Sequence, residues 1–141
     1  VSSRDDEETL AEAFWAVSRH LRHRSHESVS PLGITPGQAR AIGMLSRHGS
    51  MRISTLSEHL RIAPRSGTEV VDALQERGLV ERSPDLDDRR ATLVTLSSQG
   101  QEVATAVRRA RAAEAEAFFD RLSDSDRAEL ARIIGILRSG T

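Results

Sequence analysis

Two alternating runs, Leu79-Val80-Glu81-Arg82 and Thr92-Leu93-Val94-Thr95-Leu96, are separated by nine charge-rich residues, Ser83 to Ala91. Alternation puts one face of each strand in a core and the other in water. Nine residues are too many for a tight two-residue turn, so the loop is expected to project beyond the strands as a charged wing. Both flanks of this hairpin carry the helical period. The expected fold is therefore mainly α with a small β-hairpin.

On the N-terminal side, Leu10, Phe14, Val17 and Leu21 follow one another at spacings of 4, 3 and 4, which predicts a helix from Thr9 to about His26. A linker from Ser28 to Gly33 follows. Thr35-Pro36-Gly37-Gln38 then has the form of a capping box with proline at the first helical position. The helix it opens carries Ala39, Ile42, Met44 and Leu45 and ends near His48-Gly49. After a short segment, Met51 to Ile53, a short helix runs through Leu56 to Leu60, and Arg61 to Ala63 turn. Pro64 opens the next helix, with Val70, Val71 and Leu74 as its buried side, and Gly78 is placed to end it in the left-handed conformation.

Beyond the hairpin, Ser97 to Arg121 reads as one long helix with Val103, Val107, Ala110, Ala117 and Phe118 on one side. At 1.5 Å per residue it spans roughly 37 Å, too long for a small head to cover. Ser123 caps a last helix whose Leu130, Ile133, Ile134 and Leu137 are expected to turn inward.

The chain has 141 residues, 38% of them hydrophobic, which suffices for one core. No apolar stretch approaches the ~20 residues of a membrane span and no hydrophobic leader opens the sequence, so a cytoplasmic protein with no membrane partner is expected. There is no cysteine, which excludes disulfides and thiolate metal sites. All 20 basic side chains are arginine, each a planar fork suited to phosphate or guanine. The net charge of −1 argues against a nonspecific coat on nucleic acid but is compatible with a few placed arginines.

Helix, turn, helix and winged hairpin in that order have a mechanical use, because the major groove admits one helix. The first turn of the second helix carries Pro64, Arg65, Ser66, Thr68 and Glu69: a guanine-reading fork, two hydroxyls and an acceptor for cytosine. From this helix alone, a reading surface and an ordinary solvated face are equally consistent. The wing favours DNA. Asp85-Leu86-Asp87-Asp88-Arg89-Arg90 places Arg89 and Arg90 at its tip beside carboxylates that can orient them, and a minor groove attracts such arginines.

With these residues in hand, the chain resembles the MarR-type winged helix-turn-helix transcription regulators over nearly its whole length. The most specific stretch runs from Leu74 to Gly100. The family's wing pattern, Asp-x-(Arg or Asp)-Asp-x-Arg, is met by Asp85, Asp87, Asp88 and Arg90, and Ile34-Thr35-Pro36-Gly37-Gln38 matches the family's opening of the second helix. The resemblance implies that Arg90 enters the minor groove, that Asp88 orients it, and that Pro64 to Glu69 read bases. Two departures stand out. Arg52 occupies a place where the family often has a capping hydroxyl. Gly67 lies inside the reading helix, where glycine costs about 1 kcal/mol relative to alanine; close approach to DNA and neutral drift both account for it.

The organisation expected is an N-terminal dimerisation helix and linker over residues 1–34, a winged head over 35–96, and C-terminal dimerisation helices over 97–141, all one structural unit. Pairing the terminal helices with a second copy would hide their apolar faces and set two reading helices about one DNA turn apart, ~34–36 Å, on a palindromic double-stranded operator. The resemblance also implies a repressor released by a small aromatic effector, for which Phe14, Trp15 and Ile42 are the candidate pocket residues. No cofactor is expected. His20, His23 and His26 recur every three residues, yet no further histidine occurs after Ser97 to complete a metal site, and solvated helix-end histidines explain them better. No phosphate-cradling loop, His-Glu-x-x-His or Gly-x-Ser-x-Gly is present, so no enzyme activity is expected. The competing reading is a protein-interaction module on the same scaffold.

Overall fold

The computed structural model describes residues 7–140. Six helices and three strands follow in the order α1 (Leu10–Ser28), a 3₁₀ turn (Ser30–Leu32), α2 (Pro36–His48), β1 (Met51–Arg52), α3 (Ile53–Leu60), α4 (Pro64–Glu76), β2 (Val80–Pro84), β3 (Thr92–Leu96), α5 (Ser98–Phe119) and α6 (Asp124–Ser139).

The local signals explain most of these ends. Thr35 and Gln38 form the expected capping box, each side chain accepting from the other's backbone N–H at 3.1 Å. Thr9 and Glu12 make the same reciprocal pair at the start of α1. Ser123 accepts from the Asp126 N–H and so starts α6. Gly78, at φ 74°, ends α4: its N–H bonds to the Gln75 carbonyl and the Leu79 N–H to the Leu74 carbonyl, which satisfies two orphaned acceptors.

The sheet is larger than a hairpin. β3 lies in the middle and pairs antiparallel with β2 on one side and with the two-residue β1 on the other. β1 is too short to show a period in sequence; it exists because Met51 and Arg52 find Val94 and Leu93 across the ladder. β2 runs on to Pro84, two residues past the alternating run, and α3 begins at Ile53 rather than Leu56.

The core belongs to the middle of the chain. Its largest fully buried side chains are Val29, Ile42, Leu56, Val71, Leu74, Val80 and Val94. Val70, expected to share that core, is only half-buried at its edge. Only the first half of α5 joins the core, through Ala104 and Val107. Neither α1 nor α6 contains a buried residue. The inward turn expected for the last helix is corrected here: Ile133, Ile134 and Leu137 are exposed, because α6 finds almost nothing of its own chain to pack against, and only Leu130 is half-covered. α1 lies beside α5, tied to it by the Arg24–Glu114 ion pair and by His20 against the Phe118 ring at 5.9 Å.

Candidate nucleic-acid interface

The α3–α4 corner sets the reading helix. Arg61 closes it in the left-handed conformation (φ 56°), rare for a side chain with a Cβ, and the Arg61 and Ile62 N–H groups bond back to Glu58 and Ser57. α4 then crosses α3 at close range. A Cβ on Gly67 would stand 1.9 Å from Ser57 Oγ. Ser57 is itself buried, with its hydroxyl donating to the Ile53 carbonyl. Gly67 therefore faces the neighbouring helix, not solvent. Neither approach to DNA nor drift accounts for it: helix–helix packing does.

That packing turns the opposite side of α4 outward. Pro64, Arg65, Ser66, Thr68 and Glu69 are all exposed. Arg65 is 93% exposed and only loosely associated with Glu69, at 3.9 Å, so its fork is free to find another acceptor. Thr68 donates its hydroxyl to the Pro64 carbonyl, so that donor is already engaged within the helix.

Asp88, Arg89 and Arg90 are also exposed, on the loop between β2 and β3. Asp88 meets Arg90 at the backbone: its Oδ1 accepts the Arg90 N–H at 3.1 Å and its carbonyl accepts the Ala91 N–H. Leu86 projects beside them, 96% exposed. The loop as a whole is anchored by a residue pair that sequence reasoning did not join. Asp85 is buried, accepts from Arg52 Nε at 2.8 Å and Nη2 at 2.7 Å, and accepts the Asp87 N–H on its other oxygen. The Asp87 N–H, then the Arg52 guanidinium, hold the Asp85 carboxyl below its ordinary pKa of 3.8. Arg52 makes no side-chain cap on α3. Its departure from a capping hydroxyl was the available signal, since it faces the wing across β1–β3.

A second tie joins wing to reading helix: Arg82 on β2 donates to Asp72 and Gln75 on α4. A third fixes the far end of that helix, where Arg77 Nη1 donates to the Gly33 carbonyl at 2.6 Å and Nη2 to the Leu32 carbonyl at 3.5 Å. The two candidate DNA elements thus form one braced surface.

The candidate effector residues are not brought together within one chain. Ile42 is fully buried and lines a cavity of about 460 Å³ between α2 and α5, with Ala104, Val107 and Ala112 as apolar wall and Arg47, Arg108 and Arg111 around it. Phe14 and Trp15 do not line it; they are 55% and 59% exposed on α1. Of the three spaced histidines, His20 meets Phe118, His23 pairs with Glu27 at 3.1 Å, and His26 lines a cleft between helices.

Comparison with known proteins agrees with this geometry. A family model described as the MarR family matches residues 34–92, the span from the linker's end through the wing to the first residue of β3. An uncharacterised HTH-type transcriptional regulator of Mycobacterium bovis, Mb0904, is 35% identical over 120 residues, covering 85% of this chain and 79% of the relative. The HTH-type transcriptional repressor MdtR of Bacillus subtilis is 28% identical over 85 residues, 60% of this chain and 55% of its own. Among solved structures, the MarR family protein RV2887 of Mycobacterium tuberculosis in complex with salicylic acid superposes with a TM-score of 0.71 at 24% identity, over 94% of this chain and 98% of that one.

Proposed function

This chain belongs to the MarR family and is a DNA-binding transcriptional regulator, and from that premise we propose that it works as a homodimeric repressor of a palindromic operator. The terminal regions 1–34 and 97–141 join two copies, and the head over 35–96 meets the duplex. Pro64, Arg65, Ser66, Thr68 and Glu69 enter the major groove, where Arg65 is the guanine fork and Thr68 offers its methyl to thymine. Arg90 reaches the adjacent minor groove from the wing, Arg89 neutralises a phosphate, and Asp88 sets the Arg90 backbone.

One observation carries this reading: the core centred on the head leaves all eight contact residues in solvent, while no residue of α1 or α6 is fully buried within one chain. An apolar helix face in water is stabilised by a partner surface, and a two-fold partner also duplicates the reading helix. The helix pair α2–α5 supplies the effector pocket around Ile42; its apolar wall and arginine rim suit a small aromatic acid, the class to which the salicylic acid bound by RV2887 belongs. Phe14 and Trp15 are assigned to the subunit interface. Binding would act by favouring a head spacing that no longer fits successive grooves.

Selection of bound sequences from random double-stranded DNA tests the proposal. Enrichment of an inverted repeat with half-sites about one helical turn apart is expected. Enrichment of single, unrepeated sites would overturn the symmetric reading.

A further inference from the structure

The arginines of the head fall into two groups. Arg40 donates to the Leu60 carbonyl, Arg47 to the Gly43 carbonyl and Arg77 to the Gly33 carbonyl, while Arg52 is paired with Asp85 and Arg82 with Asp72. Each of these forks serves the fold. Arg61, Arg65, Arg89 and Arg90 remain. Arg65 has only its loose 3.9 Å approach to Glu69, and the guanidinium groups of Arg61, Arg89 and Arg90 meet no acceptor among the described residues. Three of these four have been given a place on DNA above. Arg61 has not.

Arg61 also occupies a backbone position that suits it badly. At φ 56° and ψ 45° it is the only non-glycine residue with positive φ among the described residues. The left-handed region brings a Cβ against the following carbonyl, a clash that glycine escapes. The corner between α3 and α4 needs that conformation: the Arg61 N–H bonds to the Glu58 carbonyl and the Ile62 N–H to the Ser57 carbonyl, both at 3.1 Å. It does not need the side chain, which is exposed and makes no polar contact among the described residues. Such strain gathers where a residue has a task beyond the fold.

Arg61 lies three residues ahead of Pro64, the first residue of the reading helix, at the end that enters the groove. A major groove roughly 12 Å wide is walled by phosphates on both sides, so a long cation just outside an inserted helix tip meets backbone before base edges. The chain carries a net charge of −1, so its attraction to a duplex rests on cations placed in this way. We propose that Arg61 is a further DNA-contact residue, a phosphate anchor at the α3–α4 corner that holds the reading helix in the groove without reading sequence. The proposal rests on the DNA-binding reading above and adds one contact to each head.

Gel-shift titrations of the full chain over a range of salt test this, on the operator recovered from random DNA and on an unrelated duplex of equal length. Arg61→Gly is expected to weaken binding to both about 3- to 10-fold per head and to lower the slope of log affinity against log salt by about one contact per head. Its thermal midpoint without DNA should equal or exceed the parent's, because glycine suits the left-handed corner. Arg61→Lys keeps the charge and should keep the parent's salt slope. Weaker DNA binding in a protein that is no less stable is a pairing that a merely structural role does not produce. An unchanged slope for Arg61→Gly, or a lowered thermal midpoint, would overturn the inference. A loss confined to the operator would overturn it too, by placing Arg61 on a base edge. A parent that binds neither duplex would sink the DNA-binding reading as well, whereas a parent and a variant that bind equally sink this inference alone.

Discussion

The winged head and the terminal helices are built from similar residues and are finished to different degrees. In the head, Ile42, Leu56, Val71, Leu74 and Val94 are wholly enclosed by their own chain. In α1 and α6, leucines, isoleucines, Phe14 and Trp15 repeat at helical spacing and none is enclosed. Periodicity reports which side of a helix is apolar; it does not report whose atoms will cover it. On the proposed dimer, the head holds its information for one chain and the termini hold theirs for two.

The largest expected contrast comes from one leucine truncation in each region. Leu74→Ala should destabilise the chain by about 2–5 kcal/mol in denaturant melts at any protein concentration. Leu137→Ala should leave the dilute chain's melt nearly unmoved and instead raise the concentration at which sedimentation shows dimers. Equal losses at both positions would break the comparison, because Leu137 would then lie in a core that a single chain completes. Within the head, Gly67→Ala should cost about 1–3 kcal/mol by driving α4 off Ser57. A neutral result in thermal denaturation would mean that α3 and α4 do not cross as closely as described.

Smaller effects sharpen the division between structure and recognition. Arg90→Ala should leave stability untouched, weaken operator binding by about 1–3 kcal/mol, and reduce the slope of log affinity against log salt by about one contact. An unchanged salt slope would remove the wing arginine from the interface. The smallest effect is expected from acid. Asp85 has a folded pKa below its ordinary 3.8, so its contribution is complete above that value and is lost as pH falls through the lowered one. The Asp87 amide, monitored by nuclear magnetic resonance, should lose its protection at the acid end and keep it throughout the neutral range. Protection lost already above pH 5 would detach the wing from its anchor.

The helices of the head, the two longer strands, two caps and the left-handed glycine were legible because each is specified within a few neighbouring residues. Thr35 needs only Gln38, and Gly78 only the turn before it. What could not be read locally depends on distant partners. β1 is a strand only because β3 lies beside it, and Arg52 is a wing anchor only because Asp85 arrives 33 residues later. Gly67 is intelligible only against Ser57, which the reading of a solvent-facing helix ignores. The candidate contact residues were placed correctly on exposed surface for a simple reason: the same periodicity that identifies the buried side of α4 identifies its opposite. Phe14, Trp15 and Ile42 share an apolar character that gave no way to tell an interface from a core.

The bond from Arg77 to the linker carbonyls has a mechanical consequence. It pins one end of a rod whose other end carries Arg65, and α4, with 13 residues, is roughly 20 Å long. A pivot of ten degrees at the pin would swing the free tip by roughly 3 Å, comparable to the reach of a single hydrogen bond. On the proposed mode of binding, a small shift of the linker at this pin would be geared up to a displacement that decides whether Arg65 meets its base edge or misses it.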